Sequence, residues 1–489
     1  MRASVLTRRR LALCGVIAVV SAIVAATAGA APGGTAGPSS SKDPYVLRSQ
    51  PGVVFKSVLT TGDSVAKVGG GSYRMAGIPD GLGAFDNGDG TFSLLMNHEL
   101  TATTGAVHAH GATGAFVSKW VIRKDDLSVV SGEDLIKQVY LWNGTGYVLA
   151  SGVRFARFCS ADLPAKSALY NAATGNGFDG RLYLNGEENG TTGRGFAHGL
   201  DGKSYELPWL GKFSFENSLA NPGTGDRTVV VSQDDQGGGL GQVYVYAGDK
   251  KATGATPVEK AGLTGGGLYG IRVTGYPAEV GATGIPSGTR FGVYSFGYAS
   301  AKTGAQLETD SNTNGVTQFR RPEDGAWDTA NPNVYYFVTT DQYPGTSRLW
   351  RLTFGDAKHP ELGGTIDMLL DGTEGQQMLD NITVNGRGQI ITEEDIGNQP
   401  ALGKIWHYDV ASDQLTQIAE HDPALFTPGA PGFITQDEET SGVIDVSSIL
   451  GQGWYLLDDQ VHALSTDTEL VEGGQLLAMH VPPGKFPKK

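Results

Sequence analysis

The chain has 489 residues, 72 of them glycine, with 18% charged residues and a formal net charge of −14. A hydrophobic share of 39% is too high for a disordered chain, and the length suits one large repeat domain or two or three ordinary ones. The acidic balance argues against nucleic acid or anionic lipid as the main partner, because both require clustered Lys and Arg.

The N-terminal segment has the pattern of an export signal. Three arginines at 8–10 precede an apolar stretch at 11–26, and small residues at 28–31 offer cleavage sites. We predict a cleaved signal peptide over 1–31 rather than an uncleaved membrane anchor, because the apolar stretch is short and rich in Ala. A flexible Pro/Gly/Ser linker is predicted over 32–45. The string TRRRLAL resembles a twin-arginine signal, which predicts folded export by the twin-arginine machinery, secretion, and no stable membrane anchor after cleavage.

Six short β-type runs end in acids, amides or histidine. Each joins β-branched and aromatic residues suited to a buried strand with side chains that resist burial unless paired or metal-bound. If these strands are equivalent elements of a radial repeat, their ends meet at one rim or channel, where a multivalent metal site can assemble. The runs are 91–100, 181–190, 227–236, 333–342, 388–397 and 453–462.

The same runs predict the fold. Aromatic strands at 241–247, 347–354 and 403–409 follow three of them and indicate hairpins, and no long amphipathic helical pattern is present. The shorter spacings match a four-stranded blade of about 40–50 residues, and two longer spacings leave room for a further blade or an insertion. We predict an all-β fold, a single six-bladed β-propeller over 46–489 with few short helices. Paired sandwiches would not repeatedly leave polar clusters at the same strand end.

The glycine-rich stretch 80–90 has two interpretations. It holds Asp80, Asp86, Asn87 and Asp89, and so resembles a calcium loop in composition, but it lacks the closing Glu of such a loop. A hairpin loop between two strands requires the same residue types, and we favour this turn over an ion site.

Other carboxylates are placed to act together. Strand alternation sends Asn97 and Glu99 to one face and His98 to the other, so one face offers two oxygen ligands. Glu188 and Glu216 repeat the pattern, the latter among aromatic residues. Such a semi-buried carboxylate is either paired with Arg or Lys or bound to a cation, and both interpretations stay open.

Cys159 is the sole cysteine outside the predicted signal, so an internal disulfide is excluded from the mature chain. It is either a small buried core residue or a functional thiol. Arg154 and Arg157 precede it, and their charge would lower the thiol pKa and favour a thiolate as nucleophile or metal ligand. An exported free thiol would oxidise unless it were buried or metal-bound.

The string FRRPEDG at 319–325 is the most distinctive short motif. We expect Pro322 to keep Arg321 extended, so that Arg321 and Glu323 point to the same side. A guanidinium fixed beside a carboxylate suits an anion held next to a metal, and a surface ion pair in a loop fits the string equally well.

Further acids crowd strand ends near the C-terminus, at 380–381, 393–395 and 437–439. Their mutual repulsion would destabilise the fold unless cations neutralised them, and oxygen donors in this number favour calcium or ferric iron over zinc. No HExxH, Walker or GxSxG signature is present in the sequence.

Seven strings in chain order resemble the PhoX-type alkaline phosphatases over nearly all of the mature chain. They are NHE at 97–99, FCSADLP at 158–164, EEN at 187–189, LGKFSFEN at 210–217, QDD at 233–235, RPEDG at 321–325 and LDN at 379–381. The resemblance implies a six-bladed propeller, exported in folded form, that hydrolyses phosphomonoesters with an iron pair and calcium ions on its central axis.

The resemblance also implies roles for single residues. Cys159 and Glu216 would bind iron, and Arg321 would grip phosphate. Glu323, Asp380 and Asn381 would hold calcium or bridge the metals. The remaining implied metal ligands are Glu99, Glu188 and Asp235.

We therefore predict a secreted metal-dependent phosphomonoesterase, in which Arg321 and Glu323 are catalytic and no protein nucleophile is required. Its expected partner is a small phosphate ester. One alternative is a calcium-dependent propeller hydrolase of the lactonase or phytase type. The other is a non-catalytic secreted propeller in which calcium only links the blades. The calcium hydrolase has no need of Cys159, so the thiol discriminates between the two enzyme predictions.

Overall fold

The computed structural model describes residues 34–236, 239–484 and 486, so the predicted signal peptide lies outside the described residues. Strands dominate the described part, where the longest helix, Gly304–Thr313, has 10 residues. No helix among these residues is long and apolar enough to cross a membrane. The prediction of an all-β fold with few short helices is confirmed.

Most strands belong to six antiparallel meanders of four strands, here called blades 1 to 6. Blade 1 comprises Pro79–Asp86, Thr91–His98, Phe116–Arg123 and Val129–Asp134; blade 2 comprises Phe158–Asp162, Leu182–Glu187, Gly195–Gly199 and Lys203–Glu206. Blade 3 comprises Phe215–Ala220, Arg227–Asp234, Gly241–Asp249 and Gly267–Val273; blade 4 comprises Pro322–Trp327, Val334–Thr339, Arg348–Phe354 and Gly364–Leu370. Blade 5 comprises Leu379–Val384, Gln389–Glu394, Lys404–Asp409 and Gln414–His421; blade 6 comprises Glu438–Asp445, Trp454–Val461, Gly473–His480 and Val54–Thr60.

The remaining elements extend or connect the blades. The additional strands are Gly34–Ala36, Val46–Arg48, Ser64–Ala66, Ser72–Arg74, Gln138–Trp142, Tyr147–Ala150, Tyr170–Asn171, Asn176–Gly177, Thr289–Gly297 and Gln318–Phe319. The α-helices are Lys166–Leu169, Pro257–Lys260, Gly304–Thr313, Pro423–Phe426 and Ser447–Leu450, and the 3-10 turns are Gly190–Thr192, Pro208–Leu210, Ala299–Ala301 and Pro360–Leu362.

The first strand of each blade is its innermost strand, and it contacts the innermost strands of both neighbouring blades. The six innermost strands therefore form a closed ring, the architecture of a β-propeller. Blade 6 takes its fourth strand, Val54–Thr60, from the other end of the chain. Counting one blade per meander gives six within the described residues.

Burial explains why the strands carry apolar residues on both faces. Alternate residues of a strand point to opposite faces, and each blade is covered on both faces by its neighbours. In blade 3, Val230 packs towards blade 2, whereas Val229 and Val231 pack towards blade 4. Similar buried clusters fill the other boundaries between adjacent blades.

The six acid-ended runs are the second strands of the six blades, so the expectation that they are equivalent elements is confirmed. The three predicted hairpins are also present. The two long spacings contain insertions rather than blades. One holds the strands Gln138–Trp142 and Tyr147–Ala150, and the other holds Thr289–Gly297 and helix Gly304–Thr313.

The predicted linker departs from expectation where the structure describes it. Gly34–Ala36 pairs in parallel with Val54–Thr60 of blade 6. The backbone N–H of Tyr45 donates to Gln475 Oε1 at 2.9 Å. These residues are therefore held against blade 6 rather than free of it.

Candidate metal centre

Each innermost strand has a β-bulge near its start. A bulge interrupts the ladder and turns side chains in a new direction, and it is common next to functional sites. The bulges of blades 2 to 5 contain Cys159, Glu216, Glu323 and Asp380, and Asp80 borders the bulge of blade 1. Four of the predicted metal ligands thus occupy equivalent positions in successive blades.

A second position is also equivalent in all six blades. The residue directly after the second strand, here called the end residue, donates its backbone N–H to a carbonyl group at 2.8–3.0 Å. That carbonyl belongs to the residue directly before the innermost strand. The second residue of the innermost strand is here called the inner residue. The end residues are Glu99, Glu188, Asp235, Thr340, Asp395 and His462, and the inner residues are Asp80, Cys159, Glu216, Glu323, Asp380 and Glu439.

Seven of these side chains form three overlapping groups that can hold metal ions. The ligand atoms within each group lie within 4.8 Å of one another, and all seven residues are buried. Cys159 belongs to the first two groups and Glu216 to the last two, so the groups are contiguous. The groups are Asp80, Glu99 and Cys159; Cys159, Glu188 and Glu216; and Glu216, Glu323 and Asp380.

Asp80 is a site residue that the sequence interpretation assigned to a turn. It is fully buried and accepts hydrogen bonds from Ser441 Oγ and from Gln460 Nε2, the latter at 3.1 Å. The hairpin turn begins later, directly after Asp86, the last residue of the innermost strand. A proline followed by an acid occurs both here, at 79–80, and at 322–323, and this similarity was the available signal.

Two predicted metal residues lie beside the groups. Asn381 Oδ1 accepts a hydrogen bond from the Gly442 N–H at 2.6 Å and lies 3.3 Å from Ser160 Oγ, so it joins blades 2, 5 and 6 near the axis. Asp235 accepts from the Arg321 guanidinium at 3.0 Å.

The backbone prediction for Arg321 is wrong, although its consequence is correct. Arg321 has φ 55°, in the left-handed region, and is not extended as Pro322 led us to expect. Its Nη2 still lies 2.9 Å from Glu323 Oε1 and 3.0 Å from Asp235 Oδ2. With 19% of its side chain exposed, Arg321 is part of a largely buried ion-pair cluster rather than a surface pair.

The charge balance of the centre calls for cations. Nine of the twelve inner and end residues are carboxylates, five inner and four end residues, while the nearby cationic side chains include Arg157, Arg321 and His462. Burial lowers the pKa of His462, but Glu439 and Glu472 raise it to about 11. This imidazole therefore contributes positive charge at neutral pH.

Burial raises the pKa values of several candidate ligands. The pKa of Asp80 rises to about 7 through burial and the charge of Glu99, and those of Glu216 and Glu323 lie well above the usual range. The prediction of a lowered thiol pKa is wrong, because burial and the carboxylates of Asp80 and Glu216 raise the pKa of Cys159. Without a cation, these groups favour their neutral forms.

The donor chemistry fits metal ions of two kinds. The group of Glu216, Glu323 and Asp380 offers carboxylate oxygens alone, the ligands that a hard cation such as calcium prefers. The other two groups add the thiol of Cys159, which suits a transition metal such as iron and not calcium. A bound cation would also compensate for the burial of these charges.

A separate cavity of about 690 Å3 is lined by residues further along the innermost strands. Leu82, Asn217 and Ile382 are among its lining residues, but none of the seven residues of the three groups is. The candidate metal centre therefore lies near the bulges, at the other end of these strands.

A known structure shares this fold. No protein-family model and no curated protein matches the sequence. PhoX from Pseudomonas fluorescens, solved in complex with vanadate as a transition state analogue, has a TM-score of 0.62 and 13% identity over 88% of this chain and 95% of that chain. A functionally unknown protein from Desulfotomaculum acetoxidans has a TM-score of 0.34 and 9% identity over 83% of this chain and 91% of that chain.

A putative 6-phosphogluconolactonase from Bacteroides uniformis has a TM-score of 0.29 and 12% identity over 78% of this chain and 95% of its own. Only the PhoX structure is similar enough among these three to bear on the architecture, and at 13% identity it does so for the fold alone. The resemblance predicted from the sequence is confirmed at that level: this chain has the β-propeller fold of the Pseudomonas PhoX structure.

Proposed function

We propose that this protein is a secreted, metal-dependent phosphomonoesterase of the alkaline phosphatase type. The observation that carries the proposal is the position of Arg321, whose guanidinium contacts Glu323 of the all-carboxylate group. A guanidinium group held next to a carboxylate group that binds metal cations forms a binding site for a small anion with several oxygen atoms. The PhoX structure with bound vanadate supports a phosphoryl group as that anion.

The metal ions follow from the donor sets. We assign calcium to Glu216, Glu323 and Asp380, and an iron pair to the two groups that share Cys159. When bound, such cations supply Lewis acidity towards phosphoryl oxygens and an activated water as nucleophile. No protein nucleophile is then needed.

The chain's own residues bind and orient the substrate. Arg321 donates to the non-bridging phosphoryl oxygens and stabilises the charge that they carry in the transition state. Asp235 and Glu323 hold the guanidinium in place from two blades. Thr340 Oγ1 lies 3.2 Å from Glu323 Oε1 and fixes that carboxylate in turn. Burial of the cluster excludes bulk water and strengthens these electrostatic contacts.

We also propose export in folded form through the predicted signal at 1–31. A protein that is exported in folded form can carry its bound metals with it. Cys159 has no partner cysteine in the mature chain, so folding before export prevents no disulfide from forming. The buried thiol in a metal group is protected from the oxidation that an exposed one would undergo.

A purely structural role for the cations is the second candidate, because the three groups join five blades. The test is to express the protein with its signal, measure bound metals by mass spectrometry and assay p-nitrophenyl phosphate hydrolysis with and without chelator. Arg321→Met should lower hydrolysis at least tenfold at unchanged metal content, while the control Arg320→Met, whose guanidinium pairs with Asp341 instead, should not. Metal-dependent stability without any hydrolysis would favour the structural role.

A further inference from the structure

We infer that Arg157 is a second substrate-binding residue, which forms with Arg321 a clamp of two guanidinium groups selective for phosphomonoester dianions. The inference rests on the proposed function. It adds to the proposed reaction a selectivity for substrates that carry two negative charges. Sequence reasoning considered Arg157 only as a neighbour of the thiol.

Arg157 and Arg321 occupy the same place in their blades. Each lies two residues before an inner residue, Cys159 or Glu323, and each accepts the N–H of its blade's end residue. Both adopt the left-handed backbone conformation, with φ of 46° and 55°. Such a conformation costs free energy in a residue with a large side chain and often marks functional sites.

The fold itself does not demand arginine at this place. Ile78 and Met378 hold the equivalent positions of blades 1 and 5 with φ of 51° and 44°. The left-handed turn therefore recurs in four of the six blades and is compatible with an apolar side chain. Blades 2 and 4 differ from these blades in carrying a cation there.

Each guanidinium joins carboxylates of two blades. Arg157 Nε lies 2.7 Å from Glu99 Oε1, and its Nη2 lies 2.5 Å from Glu188 Oε2. Arg321 contacts Asp235, the end residue of blade 3, and Glu323, the inner residue of its own blade. Glu188 shares one candidate group with Glu216, and Glu216 shares the next group with Glu323, so the carboxylate partners of the two guanidinium groups belong to adjoining groups.

Arg157 is also the more accessible of the two. Its side chain is 46% exposed, against 19% for Arg321, although its carboxylate partners are buried. Glu99 and Glu188 both belong to candidate metal groups, so a bound cation would compete with Arg157 for them. The donors released in this way would be free to bind an incoming anion.

Two guanidinium groups match the charge of a phosphomonoester. The dianion offers three terminal oxygens to two planar forks, whereas a diester offers two terminal oxygens and a single charge. The clamp therefore favours monoesters over diesters, and it also predicts inhibition by orthophosphate.

The test uses the metal-loaded enzyme with Arg157→Met, the residue already present at the equivalent position 378. The control is Arg154→Met, at a nearby exposed arginine. We expect kcat/KM for p-nitrophenyl phosphate to fall about ten- to a hundredfold in Arg157→Met, with a much smaller fall for bis-p-nitrophenyl phosphate. The inhibition constant of orthophosphate should rise similarly, Arg157→Lys should recover part of the loss, and Arg154→Met should match the parent enzyme.

Three results would overturn the inference. The first is an unchanged kcat/KM and orthophosphate inhibition in Arg157→Met. The second is an equal loss for both esters. The third is a loss that follows metal content or melting temperature, which would make Arg157 a structural ion-pair partner.

If the parent protein hydrolyses neither ester, the proposed function fails, and orthophosphate binding by calorimetry replaces the kinetic readout. Weaker binding to metal-loaded Arg157→Met than to the parent would still support the clamp. Equal binding would overturn it.

Discussion

The hydroxyl of Ser160 in blade 2 donates a hydrogen bond to Glu216 Oε1 in blade 3 at 2.6 Å. Glu216 is shared by two of the candidate metal groups, so this contact fixes the carboxylate on which both groups depend. Ser160 follows Cys159 directly, and one bulge therefore supplies both a candidate ligand and the residue that orients the next one.

Removal of this hydroxyl should weaken metal binding. Outer partners of metal ligands commonly change affinity or activity by about 10- to 100-fold, and we expect a loss in this range for Ser160→Ala. Metal titration of the chelated protein measures it. Ser218→Ala is the matched control, because Ser218 is equally buried but bonds to Ser232 away from the groups. Equal metal affinity in both variants would contradict the assigned role.

Asp80→Asn should have opposite effects on the metal-free and metal-loaded protein. The amide avoids the burial of a charge, so the chelated variant should melt at a higher temperature than the chelated parent at pH 8. It also removes a carboxylate from the first metal group, so the metal-loaded variant should lose occupancy there. Asp86→Asn, in the exposed turn, serves as the control for calorimetry and metal analysis.

The metal-free protein should become less stable as pH rises. The pKa of Asp80 is about 7 in the folded protein, above the value of about 4 expected in the unfolded chain, so the folded state binds more protons between these values. Its contribution to stability is complete below pH 4 and declines to about pH 7, by up to about 1.4 kcal/mol per pH unit for one group. Denaturant unfolding at pH 5 and pH 8 with chelator measures this decline.

Added cation should remove most of that decline, because binding favours the ionised carboxylates. A chelated protein that is more stable at pH 8 than at pH 5 would contradict the assignment of these buried acids. The same unfolding series with calcium separates the effect of the metal from that of pH alone.

Cys159→Ser should separate the two kinds of metal. The hydroxyl is a poor substitute for a thiolate ligand, so iron should be lost from the first two groups. The group of Glu216, Glu323 and Asp380 contains no sulfur and should keep its calcium. Metal analysis and visible absorption of the purified variant check this, and full retention of iron would show that the thiol is not a ligand.

The strands, the hairpins and the meeting of acids at strand ends could all be predicted from the amino-acid sequence. These features depend on local patterns. A strand covered on both faces needs a continuous run of apolar residues, and a carboxylate is disfavoured among them, so it lies where the strand ends. The run that ends at Glu99 and the one that ends at Glu188 could therefore be recognised without a structure. Their equivalence followed from repetition of one pattern.

Only the tertiary structure decided which side chains share a metal group. Asp80 looked like part of a turn because its burial depends on Ser441 and Gln460, which lie more than 300 residues away. Arg321 could not be placed from the preference of a residue before proline, because its backbone adopts the left-handed conformation that four of the six blades share at this position. Cys159 was expected to respond to nearby arginines, but closure of the ring surrounds it with carboxylates from other blades, and their charge together with burial dominates.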